Sequence, residues 1–333
     1  MSENLFETLA SRAAQFPAKT AMEWEGCAIS FAELFARSAR AANVLRDLGV
    51  QPGDRVALQI DKCPDAIVLV LACLQSGAAL LPLNVAYTAA ETEYFLGDSE
   101  PVVTVCRPER LEATRAIAGK LGLTSVESLS ADGRGTFAAR IDAASDAFAS
   151  VPRAADDLAA ILYTSGTTGR SKGAMLTHDN LASNARTLVD LWRFTPEDVL
   201  IHALPVFHTH GLFVATNVAL LSGATMIFQP RFDPEAVMAA MPRATSLMGV
   251  PTFYVRLLEH AGLTRASTAH IRLFVSGSAP LLAETHEHWR ERTGQNILER
   301  YGMTETNMIT SKPMMRSVER ARSAFPFPAS LCA

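Results

Sequence analysis

Wherever this sequence turns strongly apolar it does so in short bursts, and between the bursts it keeps a helical period. Strands are predicted at 55–60, 79–83, 102–106, 158–163, 199–203, 225–228, 246–250 and 273–276. Helices are predicted at 5–15, 30–48, 64–75, 179–192, 211–221, 234–241, 252–260 and 281–292. The second of them opens on the capping box Ser30-Phe31-Ala32-Glu33. Strands without polar alternation must be covered on both faces, and helices set between them in the chain supply the cover. The pattern therefore predicts an α/β fold of mainly parallel sheets flanked by helices. The 333 residues, 49% of them hydrophobic, suffice for a large core in two subdomains, placed at about 1–157 and 158–313. Residues 107–157 show no clear period, and the turn signal at 131–135 sits in what reads as a solvent-facing connection. Past residue 313 the periodicity fails, and 314–333 reads as an aberrant, disordered tail.

The most specific chemical signal follows the strand at 158–163. Residues 164–172 read Thr-Ser-Gly-Thr-Thr-Gly-Arg-Ser-Lys. Such a loop suits a polyphosphate. Gly166 and Gly169 let backbone N–H groups come close to oxygen, Thr164, Ser165, Thr167 and Thr168 bring hydroxyl donors, and Lys172 brings a positive charge. The spacing is not that of the P-loop, which needs Gly-Lys-Ser/Thr after four intervening residues. A plain Ser/Thr/Gly linker fits poorly, because the segment follows a buried strand and ends on lysine.

The order T-S-G-T-T-G-x-x-K resembles the phosphate loop of the acyl-adenylate-forming (AMP-binding) enzymes. The resemblance implies that fold's N-terminal domain, with ATP, Mg2+ and coenzyme A as cofactor and co-substrates. It also implies a reaction that joins a carboxylate to the α-phosphate, releases pyrophosphate and passes the acyl group to coenzyme A. Three further segments carry the likeness. Residues 300–306 resemble the Y-G-x-T-E signature, which implies Tyr301 and Gly302 beside the adenine, Thr304 at the α-phosphate and Glu305 holding magnesium. By itself a Thr-Glu pair is more often an N-terminal helix cap, and it is the upstream loop that favours the functional reading. Ser276-Gly277-Ser278-Ala279-Pro280 resembles the adenine-binding segment, implying nucleotide contacts from Ser278, Ala279 and Pro280, although the same residues suit an ordinary strand-to-helix turn. Residues 205–211 resemble P-x-x-H-x-x-G, which implies that His208 lines the acyl pocket. With His210 it forms an H-T-H pair, but no third ligand suggests zinc.

Two arginines bear on the choice of acid. Arg256 lies one helical turn past Phe253, and Arg300 directly precedes Tyr301. A buried guanidinium needs an anion, and a second substrate carboxylate is a bidentate one. Pairing of Arg256 with Glu259, and a surface position for Arg300, fit the residues as well. The segments H-A-L-P-x-x-H-T-H-G-L, G-V-P-T-F-Y-x-R-L-L and L-E-R-Y-G-M-T-E-T-N-M resemble the malonyl-CoA synthetase branch, and the likeness runs over about 4–313. It implies that Arg256 and Arg300 hold the distal carboxylate of malonate, with His210 and Ser278 beside them. The family continues with an aspartate for the ribose, a hinge and a small domain carrying a catalytic lysine. None of these is read here, so the chain is expected to be a truncated portion with impaired activity.

The net charge of −4 and the absence of a basic cluster argue against a nucleic-acid partner. Cys27, Cys63, Cys73, Cys106 and Cys332 are scattered without a C-x-x-C pair, which reads as reduced thiols of a cytoplasmic protein. No secretory signal is read near Glu3 and Glu7, and the longest apolar run, 66–74, is too short to cross a bilayer. Oligomeric state is not legible.

Overall fold

The computed structural model describes residues 3–164, 170–311 and the backbone of 325–326. In chain order the strands are β1 (Thr20–Trp24), β2 (Cys27–Ser30), β3 (Arg55–Gln59), β4 (Ala79–Pro82), β5 (Val103–Cys106), β6 (Ser125–Ser128), β7 (Leu158–Thr164) and β8 (Lys172–Thr177). They continue as β9 (Val199–His202), β10 (Thr225–Phe228), β11 (Ser246–Gly249), β12 (Leu273–Ser276), β13 (Ile297–Met303), β14 (Asn307–Ser311) and β15 (Phe325–Pro326). Helices fill most of the intervals, and the class is the expected α/β. The chain divides into two compact units, Met1–Ala18 with Ser30–Leu181, and Lys19–Ile29 with Ala182–Ala333.

The first unit is built on a sheet of order β6-β5-β3-β4-β7-β8, parallel throughout except for the antiparallel pair β7–β8. Its helix Pro64–Ser76 has no polar face, and every residue from Asp65 to Ser76 is buried. A helix apolar all round belongs in the interior of a protein, and this one spans only 13 residues. Helix Phe31–Asp47 packs against it and carries the predicted cap: Ser30 Oγ accepts from the Glu33 N–H at 3.2 Å, and the Glu33 carboxylate accepts from the Ser30 N–H at 2.8 Å.

Residues 107–157 differ from the reading as a solvent-facing connection. They hold helix Leu111–Lys120, strand β6 and helix Thr136–Ala143, in which Phe137, Ala138 and Ile141 are buried. Alanine supplies helix propensity there without a conspicuous apolar stripe, so the pattern understates the packing. The turn at 131–135 is real. Gly135 has φ +129°, and a Cβ on it would stand 2.3 Å from the Ser128 carbonyl oxygen.

The second unit is built on a sheet of order β15-β14-β13-β12-β11-β9-β10-β1-β2. The run from β13 to β1 is parallel, and β13, β14 and β15 pair antiparallel. From β9 the chain moves to β10 on one side, then returns to β11 on the other. That reversal opens a crevice at the carboxyl ends of β9 and β11, where sheets of this kind bind ligands. Trp289 anchors the core, edge-on to Tyr254 at 5.1 Å and to Phe274 at 4.9 Å between ring centroids. Of the segment read as a tail, the described part is β15, whose Phe325 pairs with Ser311; the other tail residues lie outside the described residues. Among the described residues no helix is long and apolar enough to cross a membrane.

The N-terminal helix Leu5–Ala13 is pinned inside the first unit by distant groups. Asn4 Nδ2 donates to the carbonyls of Leu74 (2.8 Å) and Val151 (2.9 Å), and the Leu5 N–H donates to His178 Nδ1 at 3.1 Å. Only an unprotonated Nδ1 accepts that bond. Burial pushes His178 down to about 4; nearby Arg153 lowers it further and Asp157 opposes. An unfolded histidine titrates near 6.5, so the unfolded chain takes up this proton first. The associated stability is fully present above about pH 6.5 and is lost as pH falls toward 4, with a total of about 3 kcal/mol. Urea unfolding at pH 7.5 and 4.5 is expected to show this loss, and His178→Gln, which keeps a neutral acceptor, should flatten it.

Candidate active site

The crevice of the second unit gathers residues from three connections, those after β9, β11 and β12, and from strand β13. The loop after β9 carries His208 and His210, and the turn after β12 carries Gly277 and Ser278. Helix Pro251–Leu258 follows β11 and brings Tyr254, while Arg300 lies in β13 just past the last parallel pair, Ser276 with Glu299. A one-turn π-helix, His210–Ala215, leads the chain from the crevice. Widened turns of this kind recur at functional sites.

At the centre stands Arg300, only 6% exposed. Its Nη2 donates to Ser278 Oγ at 3.4 Å, and its Nε has no hydrogen-bond partner among the described residues. Ser278 Oγ also lies 3.4 Å from His210 Nδ1, and His210 Nε2 is likewise buried without a partner. Ser278 takes the left-handed conformation, φ +70°, to hold both contacts. Gly277 makes room, since a Cβ there would approach Arg300 Cζ to 2.2 Å.

The electrostatics follow from burial. Desolvation lowers the Arg300 guanidinium to about 9, partly offset by Tyr254, so it stays charged at neutral pH. Burial holds His210 well below the usual imidazole range, and the nearby charge of Arg300 adds to the effect. Burial raises the Tyr254 hydroxyl, which donates to the Val275 carbonyl at 2.6 Å. A desolvated cation beside a neutral imidazole, each with an unused nitrogen, is a receptor for an anion with more than one acceptor atom.

The other predicted residues fall as follows. Tyr301 and Gly302 continue β13, with Tyr301 58% exposed. Thr304 and the exposed Glu305 form the tight turn between β13 and β14, closed by the Thr306 N–H on the Met303 carbonyl at 3.3 Å, so this pair caps no helix. A Cβ on Gly302 would meet the Asn307 carbonyl oxygen at 2.0 Å, which explains the glycine. Ala279 and Pro280 extend the turn after β12 toward helix Ala283–Thr293. His208 is exposed, its ring tilted against Phe207 at 4.5 Å. Arg256 is exposed too. Its guanidinium sits 5.0 Å above the Phe232 ring, which stacks on Phe253, and among the described residues it pairs neither with Glu259 nor with the Arg300 cluster. No three His, Cys, Asp or Glu side chains converge among the described residues.

In the first unit, Thr164 and Lys172 are cross-strand partners at the mouth of the β7–β8 hairpin. Ser165, Gly166, Thr167, Thr168 and Gly169 lie outside the described residues. The mouth is braced by Tyr94, whose hydroxyl donates to the Ser171 carbonyl at 2.8 Å and whose ring lies 5.9 Å from the Arg170 guanidinium. Sequence reasoning missed Tyr254 and His202. The signal for His202 was present: it is the one polar side chain closing the otherwise apolar strand V-L-I-H.

A profile of the family described as AMP-binding enzyme matches residues 9–330. The chain belongs to the AMP-binding enzyme family. Among solved structures it is similar to apo MatB from Rhodopseudomonas palustris, with 57% identity and a TM-score of 0.93 over 96% of this chain and 63% of that one. ATP-bound MatB from the same organism gives 58% identity and a TM-score of 0.92, covering 94% and 62%. Among curated relatives it is 38% identical to a feruloyl-CoA synthase of Amycolatopsis sp over 88% of this chain and 58% of that protein. It is 34% identical to the mitochondrial malonate–CoA ligase of Homo sapiens over 87% and 53%. The chain thus spans between half and two thirds of the length of these relatives.

The fit around Arg300 is tight enough to test on its own. Gly277→Ala is expected to displace the guanidinium and to cost about 1–3 kcal/mol of stability through overpacking. Thermal unfolding of the second unit would record the loss.

Proposed function

We propose that this chain forms part of an ATP-dependent acid–thiol ligase acting on malonate or a closely related short dicarboxylate. In the proposed reaction a carboxylate oxygen attacks the α-phosphorus of ATP, and the bond to pyrophosphate breaks. The sulfur of coenzyme A then attacks the acyl carbon, and AMP leaves. The products are malonyl-CoA, AMP and pyrophosphate.

The observation that carries the substrate is the buried Arg300 Nε, which has no partner among the described residues and lies beside Ser278 and His210. A distal carboxylate supplies the missing acceptor, and the ring of His210 supplies a second donor. The similarity to MatB and to the malonate–CoA ligase supports the same choice. An aromatic monocarboxylate, which the feruloyl-CoA synthase similarity brings to mind, would leave the guanidinium buried without an anion. In this reading Arg256 guards the entrance from its place over Phe232, and His208 faces the acyl group.

For the nucleotide, the proposal assigns Thr164, the loop 165–169 and Lys172 to the phosphates, Ser278, Ala279, Pro280, Tyr301 and Gly302 to the adenosine, and Thr304 to the α-phosphate. An exposed carboxylate on a tight turn, Glu305, fits a hard cation that takes its other ligands from phosphate and water. Magnesium bound there supplies neutralisation of the triphosphate charge.

ATP–pyrophosphate exchange, measured on the chain extended to a relative's full length, tests the reading. Malonate is expected to exceed acetate, octanoate and ferulate by up to about 10⁴-fold. Arg300→Gln should remove most of that preference, and Lys172→Ala should slow exchange about 10²-fold. Equal rates with octanoate would end the dicarboxylate assignment. Tight MgATP binding with no exchange on any acid would leave a nucleotide-binding protein without this chemistry.

A further inference from the structure

Three donors converge on one carbonyl oxygen behind His210. The Gly211 carbonyl accepts from the Thr216 N–H, closing the wide π-turn. It accepts again from Thr216 Oγ1 at 2.9 Å, and His202 Nε2 stands 3.0 Å away. His202 Nε2 is also 3.2 Å from Thr216 Oγ1. A carbonyl oxygen has no proton to give, so the His202 contact requires Nε2–H as the donor. His202 is 1% exposed, with its ring edge-on to Phe228 at 5.0 Å. Gly211 itself is fixed, because a Cβ there would meet the Pro205 carbonyl oxygen at 2.0 Å.

This arrangement has a bearing on the site. A π-turn is less favourable than the α-turn it replaces and persists where side chains hold it. Relaxing to an α-turn would remove one residue from the turn and swing the preceding side chain by roughly 100°. The side chain so displaced is that of His210, which opens the turn and faces Ser278 and Arg300. We infer that His202, with Thr216, is a positioning residue: its Nε2–H clamps the Gly211 carbonyl, holds the π-turn, and thereby aims His210 at the anion site around Arg300. The clamp itself stands on geometry alone. Its consequence for substrate rests on the malonate reading.

The test uses the 333-residue chain with His202→Leu, which removes the donor, and His202→Gln, whose side-chain amide restores one at similar reach. Two readouts keep the questions apart. Long-range 1H–15N spectra of ring-labelled histidine report His202 and His210 without any ligand. The parent should show His202 as the Nε2–H form; His202→Leu should shift the His210 ring signals, and His202→Gln should return them. Calorimetry then reports malonate and MgATP separately. His202→Leu should weaken malonate at least tenfold with MgATP unchanged, and His202→Gln should recover to within about threefold of the parent. His210 signals indifferent to both substitutions would overturn the inference, as would equal malonate losses in the two variants, which would mean packing alone. A parent that ignores malonate while its His210 signals respond as described would sink the malonate reading and leave the clamp standing.

Discussion

A guanidinium taken out of water is the fact around which the second unit is arranged. Arg300 keeps its charge at neutral pH although burial disfavours it. Removing such an ion from water costs several kcal/mol unless partners compensate. Among the described residues the protein gives it one long hydrogen bond, to Ser278, and no partner for its Nε. Core packing from Trp289, Phe274 and Tyr254 underwrites this cost from below, and the Tyr254 hydroxyl is tied to the β12 backbone so that the wall behind the cation does not yield. The anion site is therefore preorganised, with its unfavourable solvation met by folding rather than by the ligand.

The same economy of backbone governs the strands that deliver these groups. Parallel strands end side by side, so residues distant in sequence, such as 210, 278 and 300, arrive at one edge without any local interaction between them. Antiparallel hairpins do the opposite. In β7–β8 the functional candidates Thr164 and Lys172 are neighbours by register, and in β13–β14 Thr304 and Glu305 sit together in the turn that joins the two strands. One device brings distant donors together, and the other holds a short chemical motif in a fixed shape.

Legibility followed the strength of the local signal. The fully apolar strands and the Ser30–Glu33 capping box were evident, because their physics is contained within a few residues. The strands β1 and β2 were not, since one is half covered and the other exposed, and neither has a continuous apolar run. The β13–β14 hairpin was hidden because Arg300 through Thr306 carry mixed exposure and read as a motif before they read as a strand. Motif spacing named Arg300 and Arg256 as equals; burial separates them, and burial depends on which way β13 and helix Pro251–Leu258 face, which sequence alone does not set. The sequence marks His202 as a polar end to an apolar strand, but its role was hidden for a related reason: it contacts a main-chain oxygen, that of Gly211, which the fold alone brings to it.

Ser278 shows how the fold ranks its needs. A left-handed backbone is where glycine is at ease and serine is not, at a penalty of the order of 1 kcal/mol. The neighbouring position already holds a glycine, yet the strained one keeps its hydroxyl. Selection for heat resistance alone would drift toward glycine at 278 and discard the one oxygen that Arg300 and His210 share, so robustness and recognition pull this residue in opposite directions.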